Sequence, residues 1–476
     1  MSSIFLYSHF YKNTSNSIMS TQRLSLKDSP AMRWIVLFIV AFTMMIGYLI
    51  NDIMSPLESL LCRPVSEGGL GWSSSDYGFF SGAGSLINVY LLMLFFSGLI
   101  LDKMGTRFTG LLACVLMIVG VLTKLYAITH SFGDATVFIP IYNNDIPVSA
   151  ALASLGFSIF GVGYEMCGIT VSKAMVRWFT GHELAMAMGI QLAMARLGTA
   201  AALSVSVPLA RHFTLSAPMM AGLVLLFISI AAWLIFCVFD KRLDKQTGTV
   251  ADPTAASDTE DDEKFHFSDL GATLRNPGFW LITLFCVLFY SALNPFLKFA
   301  TRLMEVKYNV PADVAGIFTS IAPFTTIILT PLFGRIYDRY GRGVTIIIIG
   351  TAILATAHFG FSLPFHSSFV AISLILLFSI GYSLTPAALW PCVPKIIPLR
   401  CLGTAYAMIF FIQNFGRSII PMLVGRANET DPSYTTSMII FAITALGAMF
   451  VAIAMLFVDR KKGYGLQKPN IKSEAN

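Results

Sequence analysis

Two residues of opposite charge stand inside apolar runs where a membrane helix has little use for either. In the stretch GVGYEMCGITVSKAMVRWFTGHELAMAMGIQLAMARLG, residues 161–198, Glu165 and Arg196 flank a polar turn centred near Thr180 and Gly181. Each lies about 15 residues from that turn, so at ~1.5 Å rise per residue both fall roughly 20 Å from the same membrane surface. A lone ion at that depth costs about 2.5 kcal/mol and upward, so such groups face a partner or a wet cavity and not lipid. The spacing therefore predicts that Glu165 and Arg196 meet at one depth. They would form either the centre of a binding site or an ion pair that locks two helices in register. As a site, the carboxylate suits an ammonium group and the guanidinium suits a carboxylate, the two ends of a small zwitterion.

Other polar side chains within apolar runs extend this candidate cavity: Asn88, Gln191, Asn294, Tyr382, Trp390 and Gln413, with Asn51, Lys298, Asn414 and Arg417 nearby. For the amides the structural alternative is hydrogen bonding between helices. Trp390 stands beside Pro391 and Pro394, where a helix is expected to kink, and aromatic packing at a gate is its alternative role. Asp52 falls toward the outer end of its run and reads as a gating carboxylate, whereas Lys298 and Arg302 read as snorkelling cations. Most of the seven histidines lie near loops and His358 reads as a packing residue, so no proton-relay array is visible. Asn428-Glu429-Thr430 matches a glycosylation sequon.

The elements that must hold these residues follow from composition. Of 476 residues, 55% are hydrophobic and 12% charged, and the mean hydropathy is +0.71, which places the chain among integral membrane proteins. Twelve apolar runs are long enough to span: 34–56, 77–101, 108–130, 148–176, 183–210, 215–239, 278–302, 312–336, 343–363, 367–394, 402–424 and 434–458. The long hydrophilic break, with its acidic run DPTAASDTEDDE, buries too little apolar surface to fold alone and reads as a linker. The expected organisation is a tail (1–33), a six-helix bundle (34–239), a linker (240–276), a second six-helix bundle (277–459) and a tail (460–476).

Lys and Arg gather in alternate loops, for example Lys103 with Arg107, Lys173 with Arg177, and Arg335 with Arg339 and Arg342, as well as in both tails. Positive charge is retained on the cytoplasmic side, so tails and linker are expected there, and the net charge of +6 needs no nucleic-acid partner. The seven cysteines are scattered and form neither a disulfide framework nor a metal motif, and no cofactor is indicated. Neither a phosphate-binding G-x4-G-K-[ST] loop, nor H-E-x-x-H, nor G-x-S-x-G is present, so an ATP-driven pump and a membrane hydrolase are both unsupported and the chain is not read as an enzyme.

A repeat supports the division into halves. GLILDKMGTR (98–107) follows the second run and GRIYDRYGR (334–342) follows the eighth. Gly98 and Gly334 suit close helix approach, while Asp102, Arg107, Asp338 and Arg342 suit charge-assisted latches that are made on one side of a cycle and broken on the other. Two such copies half a chain apart resemble the major facilitator superfamily, and the resemblance covers all but the tails and linker. GYLINDIMSPL, WFTGHEL with GIQLAMARLG, and GYSLTPAALWPCVP with LGTAYAMIFFIQNFG look like the lysosomal dipeptide uniporter group within it. That resemblance implies an all-α fold of two six-helix bundles and alternating access. It also implies a dipeptide held by Glu165 and Arg196, without cofactor or metal. The tails lack an acidic dileucine signal, so a plasma membrane or bacterial inner membrane is expected rather than a lysosomal one. Alternatives are a proton-coupled symporter of organic anions or other small metabolites, and a receptor or assembly partner whose ion pair is structural. Whether an accessory membrane subunit accompanies the chain is left open.

Overall fold

The computed structural model describes residues 26–179, 182–247, 273–397 and 402–469. The first part of the expected N-terminal tail, most of the linker and the last residues of the C-terminal tail lie outside the described residues. Helix starts follow local chemistry. Pro30, which has no N–H to lose, opens α1 (Pro30–Asp52), and the Asn276 side chain accepts from the Gly278 N–H at 2.9 Å to cap α9 (Pro277–Tyr308). Between them stand the short α2 (Glu58–Leu61), α3 (Ser74–Ala83) and α4 (Leu86–Tyr90), then α5 (Met93–Thr129), α6 (Val148–Phe179), α7 (Leu184–His212) and α8 (Ala217–Thr247). The second half continues with α10 (Ala312–Tyr340), α11 (Gly343–Ser362), α12 (Ser368–Ile396), α13 (Leu402–Thr430) and α14 (Thr435–Lys462).

Eleven described helices are long and apolar enough to cross a membrane, and the twelfth crossing is the one the sequence drew as a single helix over 77–101. It is built in pieces: α3, α4 and the start of α5, separated by Gly84 and by Leu92 at φ 52. The third crossing begins at Gly105 (φ 76, ψ 172), where α5 bends sharply enough to turn back through the membrane. Small residues in SGAGS (81–85) explain the break, since they bring this strand of the bundle against α6 and α13 at the cost of helix propensity. The loop between the third and fourth crossings forms an antiparallel hairpin, β1 (Thr136–Ile139) with β2 (Asn144–Pro147), which hydropathy did not anticipate.

Each half is knitted by close crossings of small residues. A Cβ on Gly156 of α6 would lie 2.7 Å from the Gly120 carbonyl oxygen of α5, and one on Gly381 of α12 would lie 2.8 Å from that of Gly350 of α11. The core of the second half gathers Phe296, Phe378 and Phe441 around His358, with Phe361 packed on Phe296. The halves themselves meet along α3 with α13 and along α7 with α10. These contacts lie on the face opposite the tails, here called the outer face. Gly78 abuts Gly425 and Pro421, Gly82 abuts Ser418, and Gly316 abuts Leu203. The hairpin covers this face, with Tyr142 tilted against Phe79 at 5.0 Å and under Arg426.

On the tail side the picture is reversed. A Cβ on Gly98 or Gly334 would meet no atom within 4 Å, and the same holds for Gly168 and Gly189. The close approach expected at Gly98 and Gly334 is thus not made in this conformation, while the halves are packed at the outer face. The molecule is closed at its outer face.

Candidate functional site

The depth argument for Glu165 and Arg196 brings both to the middle of the molecule, but not to each other. Glu165 of α6 accepts from Arg417 Nη1 of α13 at 2.8 Å, and both side chains are 21% exposed. Arg417 also donates to Asn414 Oδ1 at 3.1 Å, one turn earlier on its own helix. Arg196 of α7 donates to the Tyr382 hydroxyl of α12, with its guanidinium carbon 4.8 Å from the centre of that ring. The expected pair is therefore replaced by two cross-half contacts. The physical reason is direction: helix-to-helix depth decides the level of a side chain, while rotation about the helix axis decides which neighbour it faces. Among the described residues, no carboxylate lies within ion-pair distance of Arg196.

The two contacts belong to one site. Glu165 lines a pocket with Met44, Gly47, Tyr48, Tyr164, Cys167 and Gly168. Tyr48 and Tyr164 pack edge to face at 5.1 Å in this pocket, and Tyr290 and Tyr382 lie on the Arg196 side. The anion and the cation thus sit at opposite ends of a cluster of phenols.

The other expected binding residues divide. Tyr382 holds Arg196 directly. Trp390 donates to the Tyr290 hydroxyl at 3.1 Å and packs on Tyr406 and Phe410, so it supports a residue of the site while also filling an aromatic stack within a helix that keeps Pro386, Pro391 and Pro394 inside it. Gln191 is buried and donates to Met44 Sδ at 3.2 Å, behind the pocket wall, and its carbonyl oxygen is buried without a partner. Gln413 is buried with its carbonyl oxygen likewise unpartnered. Asn294 is half-buried one turn from Lys298. Asn88 donates to the Gly161 carbonyl oxygen at 3.2 Å, joining the broken second crossing to α6, which is the interhelical alternative weighed for it.

Among the expected gating residues, Asp52 bridges the halves. It pairs with Lys298 Nζ of α9 at 2.7 Å and accepts from Thr199 at 2.8 Å. Lys298 is thereby corrected from a snorkelling cation to an interior bridge, since it also donates to the Asn51 carbonyl oxygen. Asp102 pairs with Lys173 at 2.6 Å, and Arg107 pairs with Asp244 at 2.7 Å beside Asp240, all within the first half. Arg177 reaches the same two carboxylates, Asp240 at 3.1 Å. Asp338 ends α10 near Tyr337 and Lys395. Arg342 starts α11 at φ 59, and its N–H donates to Gln467 of the tail at 2.8 Å. Asp102 and Arg107 thus make charge-assisted bonds, and among the described residues those bonds run to partners in their own half.

Sequence reasoning missed Lys124 of α5. It is buried, its Nζ 4.8 and 4.7 Å from the ring centres of Phe157 and Phe160, and a lone lysine in an apolar run was signal enough. The sequon residue Asn428 is buried and bonded to Ser437, which leaves its side chain unsuited to carry a glycan.

Comparison with known proteins agrees with this architecture. The chain is 26% identical over 392 residues to "Lysosomal dipeptide transporter MFSD1" of Homo sapiens, covering 79% of this chain and 77% of that one. The protein of the same name from Gallus gallus is 27% identical over 329 residues, covering 66% and 70%. The fold is similar to a D-xylose–proton symporter (TM-score 0.64, 16% identity, 93% and 98% coverage) and to the nucleoside transporter NupG (TM-score 0.62, 13% identity, 89% and 98% coverage). The sequence pattern described as Major Facilitator Superfamily matches residues 37–421. With that match spanning both halves and the twelve crossings meeting around a central charged site, the chain belongs to the Major Facilitator Superfamily and is a multi-pass membrane transporter, not an enzyme.

Proposed function

We propose that the protein carries short peptides, most simply dipeptides, by alternating access, with Arg196 receiving the substrate carboxylate and Glu165 its ammonium group. The observation that carries this reading is the state of Arg196. It is a guanidinium deep in the bundle, solvated by phenols and paired with no carboxylate among the described residues. A structural ion pair, the competing role, would have joined it to Glu165. The similarity to the dipeptide transporters named above supports the same substrate class.

The remaining site residues take roles from their positions. Tyr382 and Gln413 border the space between the charges, Gln191 and Asn88 hold its walls, Asn294 stands near the outer closure, and Trp390 with Tyr290 bounds the side toward the tails. Asp52 with Lys298 closes the outer gate, and Asp102, Arg107, Asp338 and Arg342 serve the opposite gate when the tail-side ends meet. For the membrane of residence, the tails carry no acidic dileucine signal while the relatives are named lysosomal. Fractionation of tagged protein separates these addresses.

Purified protein in liposomes tests the substrate reading. A hydrogen bond to a charged group contributes about 1.5–3 kcal/mol, so a C-terminally amidated dipeptide should bind roughly 10- to 150-fold more weakly than the free acid. Arg196→Gln should abolish that preference, with both forms bound weakly. Equal transport of free acid and amide by the unmutated protein, or an undiminished preference in Arg196→Gln, refutes the assignment.

A further inference from the structure

We infer that Arg417 takes the place of the substrate ammonium group when the carrier is empty, which lets the unloaded protein change sides and makes transport a net flux in place of obligatory exchange. The inference rests on the dipeptide reading of Glu165 above and concerns a residue which that reading does not use.

Alternating access carries the central site through a closed, largely dry stage. A carboxylate entering that stage without a counter-charge is held back by desolvation, so a carrier with an unpartnered site ion moves only when loaded. Without Arg417, Glu165 would be such an ion: among the described residues Arg417 is its one hydrogen-bond donor, at 2.8 Å. The contact spans the halves, from α6 to α13, in the space where the halves must rock. Arg417 is also anchored elsewhere, at 3.1 Å from Asn414 Oδ1 on its own helix, so it keeps a partner when an arriving ammonium group displaces it. Arg196 needs no equivalent, because the Tyr382 hydroxyl and ring face solvate its charge in the empty state.

Two consequences separate this role from simple binding. Displacing Arg417 opposes substrate binding, so its removal tightens the ammonium subsite. The same removal leaves the Glu165 carboxylate without a counter-charge in the empty site, so unloaded return slows. A residue that contacts cargo to hold it, or one that only holds the fold, does not produce tighter binding together with slower net flux.

The test uses the full chain in liposomes with labelled alanyl-alanine, comparing uptake into empty vesicles with exchange against internal unlabelled dipeptide. In Arg417→Gln, uptake into empty vesicles should fall at least tenfold, exchange less than threefold, and the half-saturating concentration for exchange should drop several-fold. Arg417→Lys should recover most of the uptake. Parallel loss of uptake and exchange, or unaltered uptake, overturns the proposal. Spin labels on the outer ends of α3 and α13 give a readout that needs no substrate: empty unmutated protein should populate both open forms, and Arg417→Gln should deplete their interconversion until dipeptide is added. If the unmutated protein moves the dipeptide in neither assay, the substrate reading has failed, and an unchanged distance distribution and exchange rate in empty Arg417→Gln then overturns the present inference separately.

Discussion

Gly78→Ala should open the outer face without unfolding either half. An alanine methyl at that position would lie 2.7 Å from both Gly425 Cα and the Pro421 carbonyl oxygen, backbone atoms of α13 that cannot rotate away. An unstrained contact needs about 3.5 Å, so the facing helices must separate by ~0.8 Å. Overpacking of this size costs about 1–3 kcal/mol where the structure cannot yield. Here it can yield, because α3 and α13 belong to different halves and part when the outer gate opens. The strain therefore falls on the outer-closed form alone and shifts the ratio of outward-open to inward-open molecules by roughly 5- to 150-fold. A matched control exists: a Cβ on Gly156 would also lie 2.7 Å from a backbone oxygen, that of Gly120, but within the first half. Gly156→Ala has no conformational escape and should lower the melting temperature instead. Distances between spin labels at the outer ends, measured alongside melting curves, distinguish the two effects. If Gly78→Ala leaves the distances unchanged and lowers the melting temperature as Gly156→Ala does, the assignment of this contact to a moving interface is refuted.

Asp52→Asn removes the anionic partner of Lys298 at the same closure, where the two side chains are only 11% and 13% exposed. The outer gate should loosen, making a cysteine at Ser55 reactive to an impermeant reagent from outside, while a gate that stays sealed would reduce the pair to a local contact. Asp431, in the outer loop before α14, supplies a pH test. Partial desolvation raises its pKa, but hydrogen bonds from Ser433 and Thr436 outweigh it and hold the carboxyl at about 2, below an ordinary value of about 3.9. Its contribution to stability is complete above about pH 4 and is lost as pH falls through about 2, so the melting-temperature deficit of Asp431→Asn at neutral pH should vanish there.

Much of this molecule is legible from its chain. Hydropathy alone identifies the crossings, because a bilayer tolerates only segments that satisfy their own backbone, and the paired D-x-x-G motifs of 98–107 and 334–342 reveal the two halves. Charge inside an apolar run also marks the functional level: Glu165, Arg196 and Asp52 all prove to be interior, and Lys124 announced itself in the same way. What the chain could not show was which charge meets which. Glu165 and Arg196 share a depth, yet each turns across the cleft, to Arg417 and Tyr382, residues separated from them by 252 and 186 positions. Helix register gives the height of a side chain, but its partner depends on how the two halves are rotated and tilted, and that is decided by long-range packing. The same holds for the latch motifs. Gly98, Gly334, Asp102 and Arg107 are recognisable in sequence, but whether their faces touch depends on which gate is closed, a property of the assembled halves and not of either segment.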